Sequence, residues 1–199
     1  MRMPRRMMLV AASFVIAAAG MAWAETKVEV KKTHVCCMDC EKAAGKILKE
    51  SGVKGSAEKG EGRITFSVGD DKAAQKVLDA LAAGGFHGDT GNRDLKIKDD
   101  SGVKEGKVTS LTLQGAHNCC KACNDAIKAA VKKVEGVESD DVKPKATSFT
   151  VKGSFDGAKL VKELNDAGFH VTLEKPKGND KDESKDKEKE KVKDKEKNK

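Results

Sequence analysis

Apolar and polar positions along the chain follow two rhythms, and the switch between them recurs. Val28 and Val30 alternate with Lys27, Glu29 and Lys31, the period of two expected of a half-buried strand. After residue 40 the period lengthens, and Ala44, Ile47 and Leu48 form one helical stripe. Gly52 punctuates the end of that helix. Two short strands are predicted at 53–58 and 63–68, joined by the turn Lys59-Gly60-Glu61-Gly62. Asp70 or Asp71 then caps a second helix whose apolar face carries Ala74, Val77, Leu78 and Leu81. A last strand is expected to begin at Phe86.

The same order then returns. Leu111 and Leu113 mark a strand, and Ile127, Ala130, Val131 and Val134 mark a helix that stops at Gly136. Strands are predicted at 137–142 and 146–151, with Pro144 in the turn. Asp156 or Ser154 caps a helix carrying Leu160, Val161 and Leu164, and a final strand starts at Phe169. Strand, helix, strand, strand, helix, strand is the split βαβ, or ferredoxin-like, order. The prediction is an α+β protein with two tandem βαββαβ modules, at 26–95 and 107–174. Residues 96–106, rich in Gly, Lys and Asp, read as the linker. Two cores of this size are small but feasible without disulfides.

The chemistry repeats in the same register. His34-Val35-Cys36-Cys37-Met38-Asp39-Cys40 returns 83 residues later as His117-Asn118-Cys119-Cys120-Lys121-Ala122-Cys123. Gly85-Phe86-His87 returns at the same offset as Gly168-Phe169-His170. These blocks contain every cysteine and every histidine of the chain, and thiols beside imidazoles point to soft-metal binding.

The termini change the picture of charge and compartment. Arg2, Arg5 and Arg6 precede an apolar stretch from Met7 to Gly20, too short to span a bilayer, and Ala22-Trp23-Ala24 offers a small-x-small cleavage site. Residues 1–24 therefore read as a signal peptide. The mature chain is expected to start at Glu25, to be exported to a periplasmic or extracellular space, and to have no membrane span. Residues 175–199 carry 11 lysines against 8 acidic residues and little that is apolar, which predicts a disordered tail. The formal charge of +7 thus arises mainly at the two ends, and residues 25–174 are nearly balanced. With no tyrosine and few other aromatics to stack on bases, nucleic-acid binding is disfavoured.

Each Cys-x-x-Cys lies where a loop becomes a helix. Positions three apart in a first turn share a face, so both sulfurs can reach one ion. The unpaired first-turn amides favour thiolate over thiol. Thiolates prefer Cu(I), Zn(II) and heavier thiophilic ions such as Hg(II). Lys121 lies close enough in sequence to stabilise negative charge at the second pair.

With these residues in place, the chain resembles the heavy-metal-associated domain family, which includes copper chaperones and a periplasmic mercury-binding protein. The resemblance spans nearly all of 26–174, as two copies, and rests on the strand, the cysteine pair opening a helix, the element order and the closing Gly-Phe. It implies a ferredoxin-like fold, a carrier role, and Cys37, Cys40, Cys120 and Cys123 as metal ligands. It also implies a metal-transporting membrane protein or another metal carrier as partner. The chain departs from the family where Gly-Met usually stands. His34-Val35 and His117-Asn118 occupy those places, and an additional cysteine, Cys36 or Cys119, precedes each pair. These two cysteines and the two histidines are additional candidate ligands. More thiolates per ion would move preference from two-coordinate Cu(I) towards tetrahedral Zn(II).

Other readings compete. The cysteines of an exported protein can be disulfide-bonded, and six of them allow 15 pairings. A thiol-disulfide redox protein also uses Cys-x-x-Cys, but neither pair has Gly or Pro between its cysteines. A structural or interaction module is the third class. No Ser/His/Asp set, phosphate loop or spaced carboxylate pair stands out, so the sequence predicts a binding protein and not an enzyme. One ion per module is the simplest stoichiometry.

Overall fold

The computed structural model describes residues 25–174, so the expected signal peptide and charged tail lie outside the described residues. The element order is β1 (Thr26–Val30), α1 (Met38–Glu50), β2 (Lys54–Glu58), β3 (Arg63–Val68), α2 (Asp71–Ala83), β4 (Lys107–Gln114), α3 (Lys121–Lys132), β5 (Val137–Asp140), β6 (Ser148–Asp156), α4 (Gly157–Asp166) and β7 (Thr172–Leu173). The described residues thus form an α+β arrangement with four helices and two antiparallel sheets.

The first sheet runs β1-β3-β2 and the second β5-β6-β4-β7. In the second, the last strand of the half lies beside the first, as a split βαβ order requires. Register places apolar residues opposite one another: Val28 faces Phe66 and Val30 faces Ile64, while Leu111 faces Val151 and Leu113 faces Phe149. Each helix lays its stripe on this core. Cys40, Ala44 and Leu48 of α1 are buried, as are Cys123, Ile127, Ala130 and Val131 of α3. The first buried position of each stripe is therefore a candidate ligand. Asp70 and Asp156 cap α2 and α4, accepting from the Ala73 and Lys159 amides at 2.7 and 3.0 Å. Phe66, Phe86, Phe155 and Phe169 are among the largest fully buried side chains, each stabilising the fold by about 1.5–3 kcal/mol through burial.

Three expectations are revised. The strand predicted at 146–151 runs on to Asp156, with an irregular register against β5 around Gly153. Only the second half completes a final strand. After Phe86 the first half keeps a single bridge, in which the Lys31 and Asp89 backbones exchange bonds of 2.8 Å. Beyond it the Asp89 and Asn92 side chains accept from the Gly91 and Asp94 amides, turning the chain away from the sheet. Segment 96–106 buries Ile97 and Ser101, and the Ser101 and Gly106 carbonyls accept from the Leu173 and Gly157 amides. The connection is thus tied at Lys96 to Gln75 of α2 in the first half, and at Ser101 and Gly106 to the second. Among the described residues no helix is long and apolar enough to cross a membrane.

Candidate metal centre

The two cysteine loops meet. Loop 31–37 leads from β1 into α1, and loop 115–120 leads from β4 into α3. Cys37 and Cys120 take the N-cap positions of the two helices, with extended backbones and no side-chain cap bond. Serine or aspartate at an N-cap would turn its oxygen onto the first-turn amides. Cysteine leaves the sulfur available at the positive end of the helix. Cys40 and Cys123 lie one turn further in, at the head of each buried stripe, and are fully buried. Cys36, Cys37, Cys119 and Cys120 are half-buried around them.

All six cysteines are free, and their sulfurs form one cluster. Within the first loop, Cys37 and Cys40 are 3.5 Å apart and Cys36 and Cys40 3.8 Å. The second loop gives 3.6 Å for Cys120 and Cys123 and 3.7 Å for Cys119 and Cys123. Contacts between loops are equally short: Cys36 to Cys120 and Cys123, and Cys40 to Cys119, are each 3.5 Å. Cys37 to Cys119 is 3.6 Å and Cys40 to Cys123 is 3.7 Å. The expected ligands Cys37, Cys40, Cys120 and Cys123 are thus together, and Cys36 and Cys119 belong to the same set.

Paired contacts between the halves hold the loops in place. Phe86 and Phe169 meet in an antiparallel bridge. The Gly168 carbonyl accepts from the His34 and His87 amides, and the Gly85 carbonyl accepts from His117 and His170. The His34 ring stacks on Phe169, and the His117 ring on Phe86, each at 4.5 Å. Gly85 and Gly168 have φ of +82° and +88°, and a Cβ on either would strike the backbone of the opposite half at 2.2 Å. In the sequence Gly-Phe-His is a repeated block that opens the last expected strand of each half. Here it is the surface on which each cysteine loop rests.

The histidines divide into two pairs. His34 Nε2 and His117 Nε2 are buried without a hydrogen-bond partner, and a His34 ring nitrogen lies within 4.8 Å of the Cys36 and Cys123 sulfurs. Burial holds the His34 pKa below its ordinary value, so its ring is a neutral donor available to an ion. His87 and His170 are stacked on each other at 6.0 Å, with His170 Nε2 2.9 Å from an Asp100 carboxylate oxygen. They take no part in the sulfur cluster's three-ligand groups. Lys121, expected to offset charge at the thiols, instead points into solvent and pairs with Asp125 at 2.5 Å.

Proton affinity within the cluster is uneven. Burial, then sulfur contacts, push the Cys36 thiol up to about 12 and raise Cys119 further. Contact with Cys40, then burial, raises Cys123. Cys120 is lowered to about 7 by the Cys123 backbone amide, and Cys40 is lowered by its contact with Cys123. Six thiolates this close would repel one another, so the metal-free cluster keeps protons that cations can replace. Beside it a shallow cavity of about 490 Å³ is lined by residues including Asp39, His117, Asn118, Cys119 and Lys145.

Comparison with known proteins agrees with this chemistry. The model of the heavy-metal-associated domain matches residues 117–170, from the second cysteine loop to the second Gly-Phe-His. A heavy metal-associated isoprenylated plant protein 37 of Arabidopsis thaliana is 32% identical over 80 residues, which are 40% of this chain and 22% of that protein. The chain thus spans about a fifth of that relative. Among solved structures, oxidized MerP from Ralstonia metallidurans CH34 is 32% identical, covering 35% of this chain and all of MerP, with a TM-score of 0.29. The N-terminal soluble domains of Bacillus subtilis CopA are 16% identical over 77% of this chain and 97% of theirs, with a TM-score of 0.28. A heavy-metal-associated domain and a cysteine cluster fit for thiophilic ions therefore coincide in one chain.

Proposed function

We propose that this protein is an exported metal carrier or scavenger, built from two tandem ferredoxin-like modules, that holds Cu(I) or Zn(II) as metal thiolates. The observation that carries the reading is the convergence of six free thiols, three from each half, on one site. Buried sulfurs at helix starts supply soft, ionisable ligands, and the protein's work is binding and release, without catalysis. The single cluster supports a site shared by both loops, where the sequence alone suggests one ion per module. A metal-transporting membrane protein or another carrier is the expected donor or acceptor, and export rests on residues 1–24.

The test is metal retention by anaerobically purified protein against a competing Cu(I) or Zn(II) chelator. Wild type is expected to keep metal, and Cys37→Ser/Cys40→Ser to lose more than half of it, because the second loop shares its site with the first. Unchanged metal content in that variant overturns the assignment.

A further inference from the structure

The arrangement of the six sulfurs specifies more than affinity. Each has four of the other five within 4.8 Å. That is the connectivity of an octahedron, in which Cys36 and Cys119, Cys37 and Cys123, and Cys40 and Cys120 are the opposite corners. Four of its faces, taken alternately, are Cys36-Cys37-Cys40, Cys37-Cys119-Cys120, Cys40-Cys119-Cys123 and Cys36-Cys120-Cys123. Every sulfur belongs to two of these faces, and any two faces share one sulfur.

We propose that the six thiolates hold four Cu(I) ions as a single bridged cluster, one ion per alternate face, and this rests on the thiolate-metal reading above. Each copper would have three sulfurs and each sulfur would bridge two coppers, so no thiolate is left over. Four Cu(I) ions also offset four of the six negative charges that otherwise keep the cage protonated. Bonds of about 2.3 Å to three sulfurs in a plane need sulfurs about 4.0 Å apart. The short edges, 3.5–3.8 Å, approach this closely enough for a slight expansion to suffice. Tetrahedral Zn(II) held by sulfur alone fits poorly. Any four corners of an octahedron include an opposite pair, so four sulfurs cannot surround one ion without rearrangement. The chain binds through its cage as a unit, and the additional cysteines are essential to it. Every face of an octahedron uses one corner from each opposite pair, so losing Cys36 and Cys119 together abolishes all faces.

The decisive experiment is anaerobic titration of the full chain with Cu(I) delivered as its acetonitrile complex. Native mass spectrometry and copper X-ray absorption are the readouts. Below saturation the metal-free and four-copper forms are expected to coexist, with intermediate forms scarce. Absorption should show three sulfurs per copper and a copper–copper distance of about 2.7 Å, two thirds of an edge of about 4.0 Å. Cys36→Ser/Cys119→Ser should hold at most two coppers, lacking the copper–copper path. If that variant fails to fold by circular dichroism, the wild-type stoichiometry and path still decide. Two coppers per wild-type chain with two sulfurs each and no copper–copper path overturn the cluster but leave the carrier reading standing. Four coppers in the double variant also overturn it. Failure of wild type to hold copper or zinc against a chelator overturns both.

Discussion

Gly85→Ala tests whether the metal site depends on contact between the two halves, without altering a ligand. Gly85 has φ of +82°, and the new methyl would lie 2.2 Å from the Gly115 carbonyl oxygen and 2.3 Å from the His117 nitrogen. Left-handed backbone costs a residue with a Cβ about 1–2 kcal/mol. Both struck atoms are backbone, so the clash is relieved only if segment 115–117 withdraws by about 1 Å. Withdrawal breaks the bonds that the Gly85 carbonyl accepts from His117 and His170, 3.3 and 3.1 Å long, at about 1 kcal/mol each. The expected loss is about 3–4 kcal/mol. Gly52→Ala is the control: its φ is +72° and nothing lies within 4 Å, so it should lose only about 1–2 kcal/mol. Urea unfolding of the reduced, metal-free proteins, followed by circular dichroism, measures both. His117 is two residues from Cys119, so Gly85→Ala should also weaken Cu(I) binding while Gly52→Ala leaves it unchanged. Equal destabilisation of the two variants refutes the reasoning, as does wild-type copper affinity in Gly85→Ala.

Two further outcomes follow from the titrating groups. Cys36, Cys119 and Cys123 are all raised above the ordinary thiol value, so metal loading near neutral pH should release at least three protons per chain. Weakly buffered titration with a pH indicator measures this, and fewer than three argues against their ligation. Burial, then the charge of His170, lowers the His87 pKa below 6.5, so the unfolded chain binds that proton more readily. Stability is then complete above about 6.5 and falls with pH until the folded imidazole also protonates. The urea midpoint should drop between about pH 7.5 and about pH 5.5, and His87→Gln should shrink the drop; an undiminished drop in that variant rules out His87 as its source.

Local order was legible in the sequence because it is written in local periodicity. The stripes Ala44, Leu48 and Ile127, Ala130, Val131 are buried as the helical spacing requires. The Asp70 and Asp156 caps were readable from residue type and position. Cys40 and Cys123 were visible as candidate ligands, and the structure adds that they head the buried stripes. The missing fourth strand of the first half did have a local signal, since Asp89 and Asn92 each accept from the amide two residues on and so turn the chain. The meeting of the two loops was not legible at all. Periodicity reports which face of an element is apolar, but not which distant surface covers it. One signal was present: a glycine precedes a buried phenylalanine at the same offset in both halves. Read as a helix terminator, it needs no partner; read as a close backbone approach, it predicts one.

The contact between halves gives the additional cysteine of each loop a defined place. Two Cys-x-x-Cys pairs brought together give Cys37, Cys40, Cys123 and Cys120, a ring of four sulfurs with 3.5, 3.7 and 3.6 Å along three of its sides. A ring has no three-sulfur face, and each ion on it would be held along one edge. Cys36 and Cys119 stand on opposite sides of that ring, each near all four of its members. Adding either closes half of a cage, and adding both closes it. An ion on an edge is freed by breaking two bonds. One on a face has three, and its sulfurs also hold neighbouring ions, so release of one disturbs the rest. The extra cysteine of each loop therefore favours retention over rapid exchange. The half-buried sulfurs of Cys36, Cys37, Cys119 and Cys120 are where a receiving thiol must begin, because Cys40 and Cys123 are fully buried.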